Sequence, residues 1–302
     1  MTTIGDTLAL ATTRLRAMSD CADSDAVELL SRLLGEGRGE LQALREHELT
    51  GEQAGRFESW LARRIAGEPV QYITGRAAFR DLDLEVTPAV LIPRPETEGL
   101  VEAVLEVLRG EASRWVAPRV LDLGTGSGAI ALAIAQEWPS AIVTATDASE
   151  AAIAVAGRNA AASGLSSRVE FRHGDWFDAV GGDDRFEIVV SNPPYIADEE
   201  LAALPRDVRE YEPHAALFSG PSGLEALQEI IEEAPRHLVA GGLLALELAE
   251  SRAREVVGWL EGAHDWSGAE LLDDLAGQPR VLLARRERGP AIAPAQWGEE
   301  QA

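Results

Sequence analysis

The sequence contains no lysine: all 27 of its basic residues are arginine, set against 51 acidic ones, for a formal net charge of −24 over 302 residues. Non-specific attraction to nucleic acid comes mostly from cationic side chains that release counterions, so a chain this acidic starts from repulsion. No direct nucleic-acid binding is expected, and the bias itself fits GC-rich coding or adaptation to salt. Cysteine is almost missing too, and the single Cys21 excludes an internal disulfide framework, in keeping with a reducing compartment. A structural thiol at a helix edge is its favoured reading over a nucleophile. There is no apolar run of about 18 residues, and the start, MTTIGDTLALATTRLR, has no basic segment ahead of an apolar one. A cytoplasmic chain without a membrane span is expected, with a monomer as the default and no metal. What the chain does have is 46% hydrophobic residues, enough for one large domain and a smaller one.

Residues 1–75 carry helical rather than strand periodicity. Ala26, Leu29, Leu30, Leu33 and Leu34 recur at helix spacing, Gly35 offers a stop, and Thr50 with Gln53 forms a capping box ahead of Phe57, Trp60, Leu61 and Ile65. A small helical bundle follows from this. Residues 76–95 read as a hairpin, AAFRDLDLEV with a turn at Arg80-Asp81, and a proline-rich linker that ends in LIPRPETE. Over 96–287 an amphipathic helix to about Leu108 leads into strands alternating with helices. The strands are expected near 119–123, 141–146, 168–172, 185–190, 242–248, 265–271 and 280–286, and the helices near 128–137, 149–162, 223–238 and 250–261. Such alternation predicts an α/β fold with a mainly parallel, Rossmann-like sheet covered on both faces, and ligands at the carboxyl ends of its strands. Residues 288–302, rich in Pro, Gly and Glu, read as a disordered tail.

The segment VLDLGTGSGAIA is a strand that runs into a glycine loop, Gly124, Thr125, Gly126, Ser127 and Gly128, and then into a helix. Its glycines permit tight turning and close approach to a ligand. Gly124, Gly126 and Ala129 also fit the dinucleotide pattern, which keeps a nicotinamide oxidoreductase in view. Asp147 ends the next strand, where a carboxylate accepts from both ribose hydroxyls; its plain alternative is a helix cap. Asp122 favours a different cofactor, since a carboxylate before the glycines repels a pyrophosphate and suits the sulfonium and amino group of S-adenosylmethionine. Asp175 and Trp176, in HGDWF, are candidates to accept from the adenine amine and to cover its ring, with a turn Asp and a core Trp as the alternatives.

The stretch SNPPYI follows the apolar strand FEIVV, and two consecutive prolines end it. A planar nitrogen is a poor nucleophile because its lone pair is delocalised, and gripping both of its N–H groups with acceptors helps it. Asn192 offers a side-chain carbonyl, and Pro193 a backbone carbonyl kept free by Pro194, which has no N–H. Tyr195 offers an aromatic face for the planar group. This chemistry serves an amide or a base amine equally well.

DLGTGSG together with NPPY resembles the class I methyltransferases that act on planar nitrogens. LIPRPETE, GEPVQYITG (67–75), DVREYEP (207–213) and DLAGQPRV (274–281) further resemble the bacterial peptide-chain release factor glutamine methyltransferases, over nearly the whole chain. The resemblance implies a class I fold with a helical N-terminal domain that helps hold the substrate. It implies S-adenosylmethionine as donor, S-adenosylhomocysteine as product, and methylation of the Gly-Gly-Gln glutamine of release factors, which modulates translation termination. It places cofactor contacts on Gly124 to Gly128, Asp147, Trp176 and Asn192. The substrate amide falls to Asn192, Pro193, Pro194 and Tyr195, with Asn192, Pro193 and Tyr195 expected to carry catalysis. Glu247 lies near an acid of the family, but Leu248-Ala249 replaces the glycine expected soon after it. Arg94 and Glu96 are expected either to shape the entrance or to pin the linker. An adenine or cytosine amino-methyltransferase is the competing enzyme, and a ribosome-associated binding module without turnover is the non-enzymatic one.

Overall fold

The computed structural model describes residues 2–287, so the tail expected at 288–302 lies outside the described residues. Five helices come first: α1 (Ile4–Leu15), α2 (Ala22–Leu34), α3 (Arg38–Ala43), α4 (Gly51–Ile65) and α5 (Val70–Thr74). Their apolar stripes meet in one cluster that includes Leu15, Leu29, Leu30, Phe57 and Leu61. Thr50 caps α4 as the sequence suggests: its hydroxyl accepts from Gln53 N at 3.2 Å, and the Gln53 side chain accepts from Thr50 N at 2.9 Å. Cys21 is exposed at the N-cap of α2.

A hairpin of β1 (Arg76–Phe79) and β2 (Leu82–Glu85) turns at Arg80-Asp81. It joins the bundle to the sheet. Arg32 of α2 reaches Asp83 at 2.7 Å, while Asn159 accepts from Glu85 N at 2.6 Å and donates to Glu85 O at 3.0 Å.

Helix α6 (Pro95–Gly110) then leads into β3 (Arg119–Leu123), α7 (Ala129–Glu137), β4 (Ile142–Asp147), α8 (Glu150–Ala162), β5 (Val169–His173) and β6 (Phe186–Ser191). After a short α9 (Arg206–Tyr211) come α10 (Glu225–His237), β7 (Leu238–Glu247), α11 (Glu250–Glu261), β8 (Trp266–Asp273) and β9 (Pro279–Arg286). Among the described residues the main sheet has seven strands in the order β5-β4-β3-β6-β7-β9-β8, parallel from β5 to β7 and antiparallel around β9. Residues of α6 and α7 cover one face in a single apolar cluster, and residues of α10 and α11 cover the other. No described helix is long and apolar enough to cross a membrane.

Two elements start two or more residues from where they are expected. Strand β7 starts at Leu238 rather than 242, and its register against β6 shifts between Phe186 and Ile188, so the strand continues through Gly241 and Gly242 instead of starting after them. Helix α10 starts at Glu225 rather than 223, because Gly223 sits at φ 75°, outside helical space.

The chain leaves β3 for β4 and β5 on one side, then returns to β6 and β7 on the other. The switch in strand order therefore lies between β3 and β6, whose ends are in register at Leu123 and Ser191. An open α/β sheet binds its ligand in that crevice. Here the glycine loop leaves one side of it and Asn192 the other.

Candidate active site

Gly124, Gly126 and Gly128 adopt φ of 69°, 56° and 85°, a region side chains rarely enter. At Gly124 an added Cβ would stand in contact with the Trp176 ring, 3.4 Å away, so backbone conformation rather than space is what calls for glycine there. Thr125 and Ser127 are buried beneath the loop. Trp176 itself holds φ 35°, rare for a bulky residue, with its carbonyl accepting from the Thr146 hydroxyl at 3.1 Å. Its half-buried ring packs on the sheet's apolar cluster and stands beside Gly124 at the edge of the loop.

Asp147 is held by backbone N–H groups on both of its oxygens. One carboxylate oxygen accepts from Ser149 N at 2.9 Å, at the start of α8, and the other from Gly126 N at 2.8 Å. These bonds aim the carboxylate at the loop and leave lone pairs on both oxygens for ribose hydroxyls. Burial pushes its pKa up, and the two backbone N–H groups oppose that. Asp175 is exposed and lines an acidic hollow with Asp178 and Glu229, and it is not among the residues that line the cavity beside Asn192.

Asp122 is fully buried. Its Oδ2 accepts from the Thr125 hydroxyl at 2.6 Å and from Ala131 N at 3.2 Å, while Oδ1 has no partner among the described residues. Burial pushes its pKa up to about 7, and the charged neighbour acting on it is Asp147, of like sign. An orphaned carboxylate oxygen under a glycine loop, with a second carboxylate nearby, suits a ligand that brings positive charge and ribose hydroxyls. These residues fit S-adenosylmethionine and disfavour a pyrophosphate.

Across the crevice, Asn192, Pro193, Pro194, Tyr195 and Arg94 line a narrow cavity of about 110 Å³. Among the described residues no hydrogen bond reaches the Pro193 carbonyl or Asn192 Oδ1. The Ser191 hydroxyl donates to Leu123 O at 2.7 Å and locks this turn to the end of β3. Beyond the prolines, Ile196 N donates to Leu217 O at 3.1 Å and Ser219 N to Ile196 O at 3.0 Å. Gly223 closes the packing, since a Cβ there would fall 2.7 Å from Tyr195 O and 2.8 Å from Ala197 N.

Sequence reasoning missed what stands behind this turn. Asn192 Nδ2 donates to Thr97 Oγ1 at 3.0 Å, and that hydroxyl donates to Glu247 Oε2 at 2.6 Å. The Tyr195 hydroxyl lies 3.5 Å from Glu247 Oε1, at the outer limit of a hydrogen bond. Burial raises the Glu247 pKa, with Thr97 and the Arg280 guanidinium opposing; burial first and the Glu247 charge second push Tyr195 up to about 12. Thr97 shares the buried face of α6 with Leu100, Val101 and Val104, and a hydroxyl on an apolar stripe was the available signal.

Three of the quoted segments reach this site, and the fourth, GEPVQYITG, braces the chain ahead of the linker. Arg94 of LIPRPETE pairs with buried Glu212 of DVREYEP at 2.6 Å, across 118 residues, and also lines the cavity. Tyr72 of GEPVQYITG donates to Val90 O at 2.7 Å. Arg280 of DLAGQPRV is held near Asp274 at 3.4 Å and acts on Glu247. Glu96 is exposed.

Residues 6–75 match the PrmC N-terminal domain family, and residues 101–206 match the Methyltransferase small domain family. A release factor glutamine methyltransferase of Cereibacter sphaeroides is 44% identical over 281 residues, covering 93% of this chain and 97% of the relative. One of Koribacter versatilis is 43% identical over 241 residues, covering 80% and 83%. In fold alone, the chain is similar to the hMettl16 catalytic domain solved with a MAT2A 3′UTR hairpin, at TM-score 0.53 and 16% identity over 81% of this chain and 83% of that one. With relatives of that identity matching over nearly their whole length, the chain belongs to the release factor glutamine methyltransferase family.

Proposed function

We propose that the chain methylates the side-chain amide nitrogen of the glutamine in the Gly-Gly-Gln motif of peptide-chain release factors, with S-adenosylmethionine as donor. The observation that carries this reading is the pair of free acceptors, Asn192 Oδ1 and Pro193 O, beside a cavity at the strand-order switch and next to the glycine loop. Relatives named for this activity match both the helical and the sheet regions. When bound, S-adenosylmethionine supplies an electrophilic methyl group on a cationic sulfur. Gly124 to Gly128 receive it, Asp147 takes the ribose hydroxyls, Trp176 flanks the adenosine, and Asp175 is the candidate acceptor for the adenine amine.

Asn192 Oδ1 and Pro193 O accept the two N–H groups of the substrate amide, which turns the nitrogen toward the methyl carbon. Pro194 fixes the turn and Tyr195 packs against the planar group. With donor held there, the N–C bond would form as the S–C bond broke, sulfur would keep the electron pair as S-adenosylhomocysteine, and the nitrogen would release a proton to solvent. No general base of special pKa is needed. Rate comes from alignment, for which reacting atoms stand about 3–3.5 Å apart. The five-helix bundle is the element assigned to gripping the release factor, in the cytoplasm, by a monomer that does not touch nucleic acid.

Incubation of the protein with a release factor and donor, followed by peptide mass spectrometry, is expected to show one added methyl on the Gly-Gly-Gln glutamine. Absence of transfer to any release factor, with labelled methyl entering duplex DNA instead, would overturn the reading.

A further inference from the structure

A carboxamide is almost symmetric in shape, so Asn192 fits its place with either end facing the cavity. The two arrangements are chemically opposite. Oδ1 turned toward the acceptor takes one of its N–H bonds, whereas Nδ2 in that place would set donor against donor. Something must choose between them.

We propose that Thr97 and Glu247 are positioning residues that make the choice, a proposal that rests on the glutamine-methylation reading. The threonine hydroxyl has one proton to give. Ionised Glu247 has only lone pairs, so at 2.6 Å it takes that proton. Thr97 Oγ1 then has only lone pairs left for Asn192, 3.0 Å away, and only Nδ2 satisfies them. Oδ1 is thereby turned to the cavity.

The relay is isolated from water, with Thr97 4% exposed and Glu247 1%. A reversal inside it would leave a buried polar atom unpaired, which is disfavoured. Burial raises the Glu247 pKa, while the Thr97 hydroxyl and the Arg280 guanidinium pull toward the ionised form in which the carboxylate orients the relay. The second carboxylate oxygen faces the Tyr195 hydroxyl at 3.5 Å, so one side chain braces both ends of the Asn192–Tyr195 turn.

Thr97→Val keeps the shape and deletes the proton. It is expected to lower kcat for methyl transfer to the release factor about 10²-fold, the scale of a misplaced reacting group. The S-adenosylmethionine Kd, measured by calorimetry, should stay within about twofold of wild type. Thr97→Ser, which restores the hydroxyl, should return kcat to within about threefold. Glu247→Gln can offer Thr97 a donor or an acceptor and is expected to fall between the two. Wild-type kcat in Thr97→Val, an equal loss in Thr97→Ser, or a loss confined to cofactor affinity would each overturn the proposal. Wild-type enzyme that transfers nothing to the release factor would overturn the substrate reading and the relay's role together; active wild type with an unchanged valine variant overturns the relay alone.

Discussion

The two rims of the crevice are built on the same device, a buried carboxylate that accepts a threonine hydroxyl at 2.6 Å: Asp122 with Thr125 on the cofactor side, Glu247 with Thr97 on the acceptor side. They differ in reach and in charge. Asp122 finds its threonine three residues along and its other bond at Ala131, all within one strand-loop-helix unit. Glu247 reaches 150 residues back, to the first turn of α6. Glu247 feels the Arg280 cation as well as the like charge of Glu96, whereas the charge acting on Asp122 is the like charge of Asp147 alone. The acceptor side is thus supplied with its own cation and serves to orient a neutral amide. The cofactor side is left short of positive charge, which a sulfonium ligand brings with it.

If the rims divide the work in this way, damage to each should appear in a different measurement. Asn192→Ala removes an acceptor from the substrate amide and is expected to reduce transfer on the order of 10³-fold. Calorimetry should find its cofactor affinity nearly unchanged. Asp147→Ala is expected to weaken S-adenosylmethionine binding about 10²-fold, as the loss of charge-assisted bonds to the ribose predicts. It also frees the Gly126 and Ser149 amides, so part of that loss is loop order rather than direct contact. At saturating donor its kcat should recover toward wild type. The opposite pattern, with Asn192→Ala losing the cofactor and Asp147→Ala losing turnover at saturation, would mean that the two rims have been exchanged.

The same contrast in reach explains what could be read from the sequence. The alternation of strands and helices, the glycine loop and Asp147 are local patterns, and period, spacing and backbone freedom express them directly. NPPY was legible for a similar reason, because proline's missing N–H acts where it stands. Thr97, Arg280 and Gly223 were not legible, because each matters through a partner that the fold brings from far along the chain. Gly223 is the plainest case: nothing in SGPSGLEA states that its Cα must pass against the backbone of Tyr195 to Ala197. Glu247 gave half a signal, as a charge closing an apolar strand, but its partner was hidden inside the quoted LIPRPETE. The beginning of β7 was missed because continuation through two glycines and a register shift follows from pairing with β6, and local composition does not express that.

The smallest expected effect concerns the missing cation on the cofactor side. Asp122 has a folded-state pKa of about 7, above the 3.8 of an ordinary aspartate, so the folded chain holds this proton more tightly than the unfolded chain does. Linkage then requires the contribution to be complete below about 4 and lost as pH rises through about 7. Other groups titrate over the same range, so the informative quantity is the difference from Asp122→Asn, which cannot ionise. The Tm advantage of wild type over that variant, without cofactor, should shrink between about pH 5 and pH 8, by roughly 3 °C or more for a domain of this size. A difference that stays flat or grows with pH would mean that Asp122 is ionised and already compensated within the protein. The cofactor side would then need no cation from its ligand, and the two carboxylates would differ in reach alone.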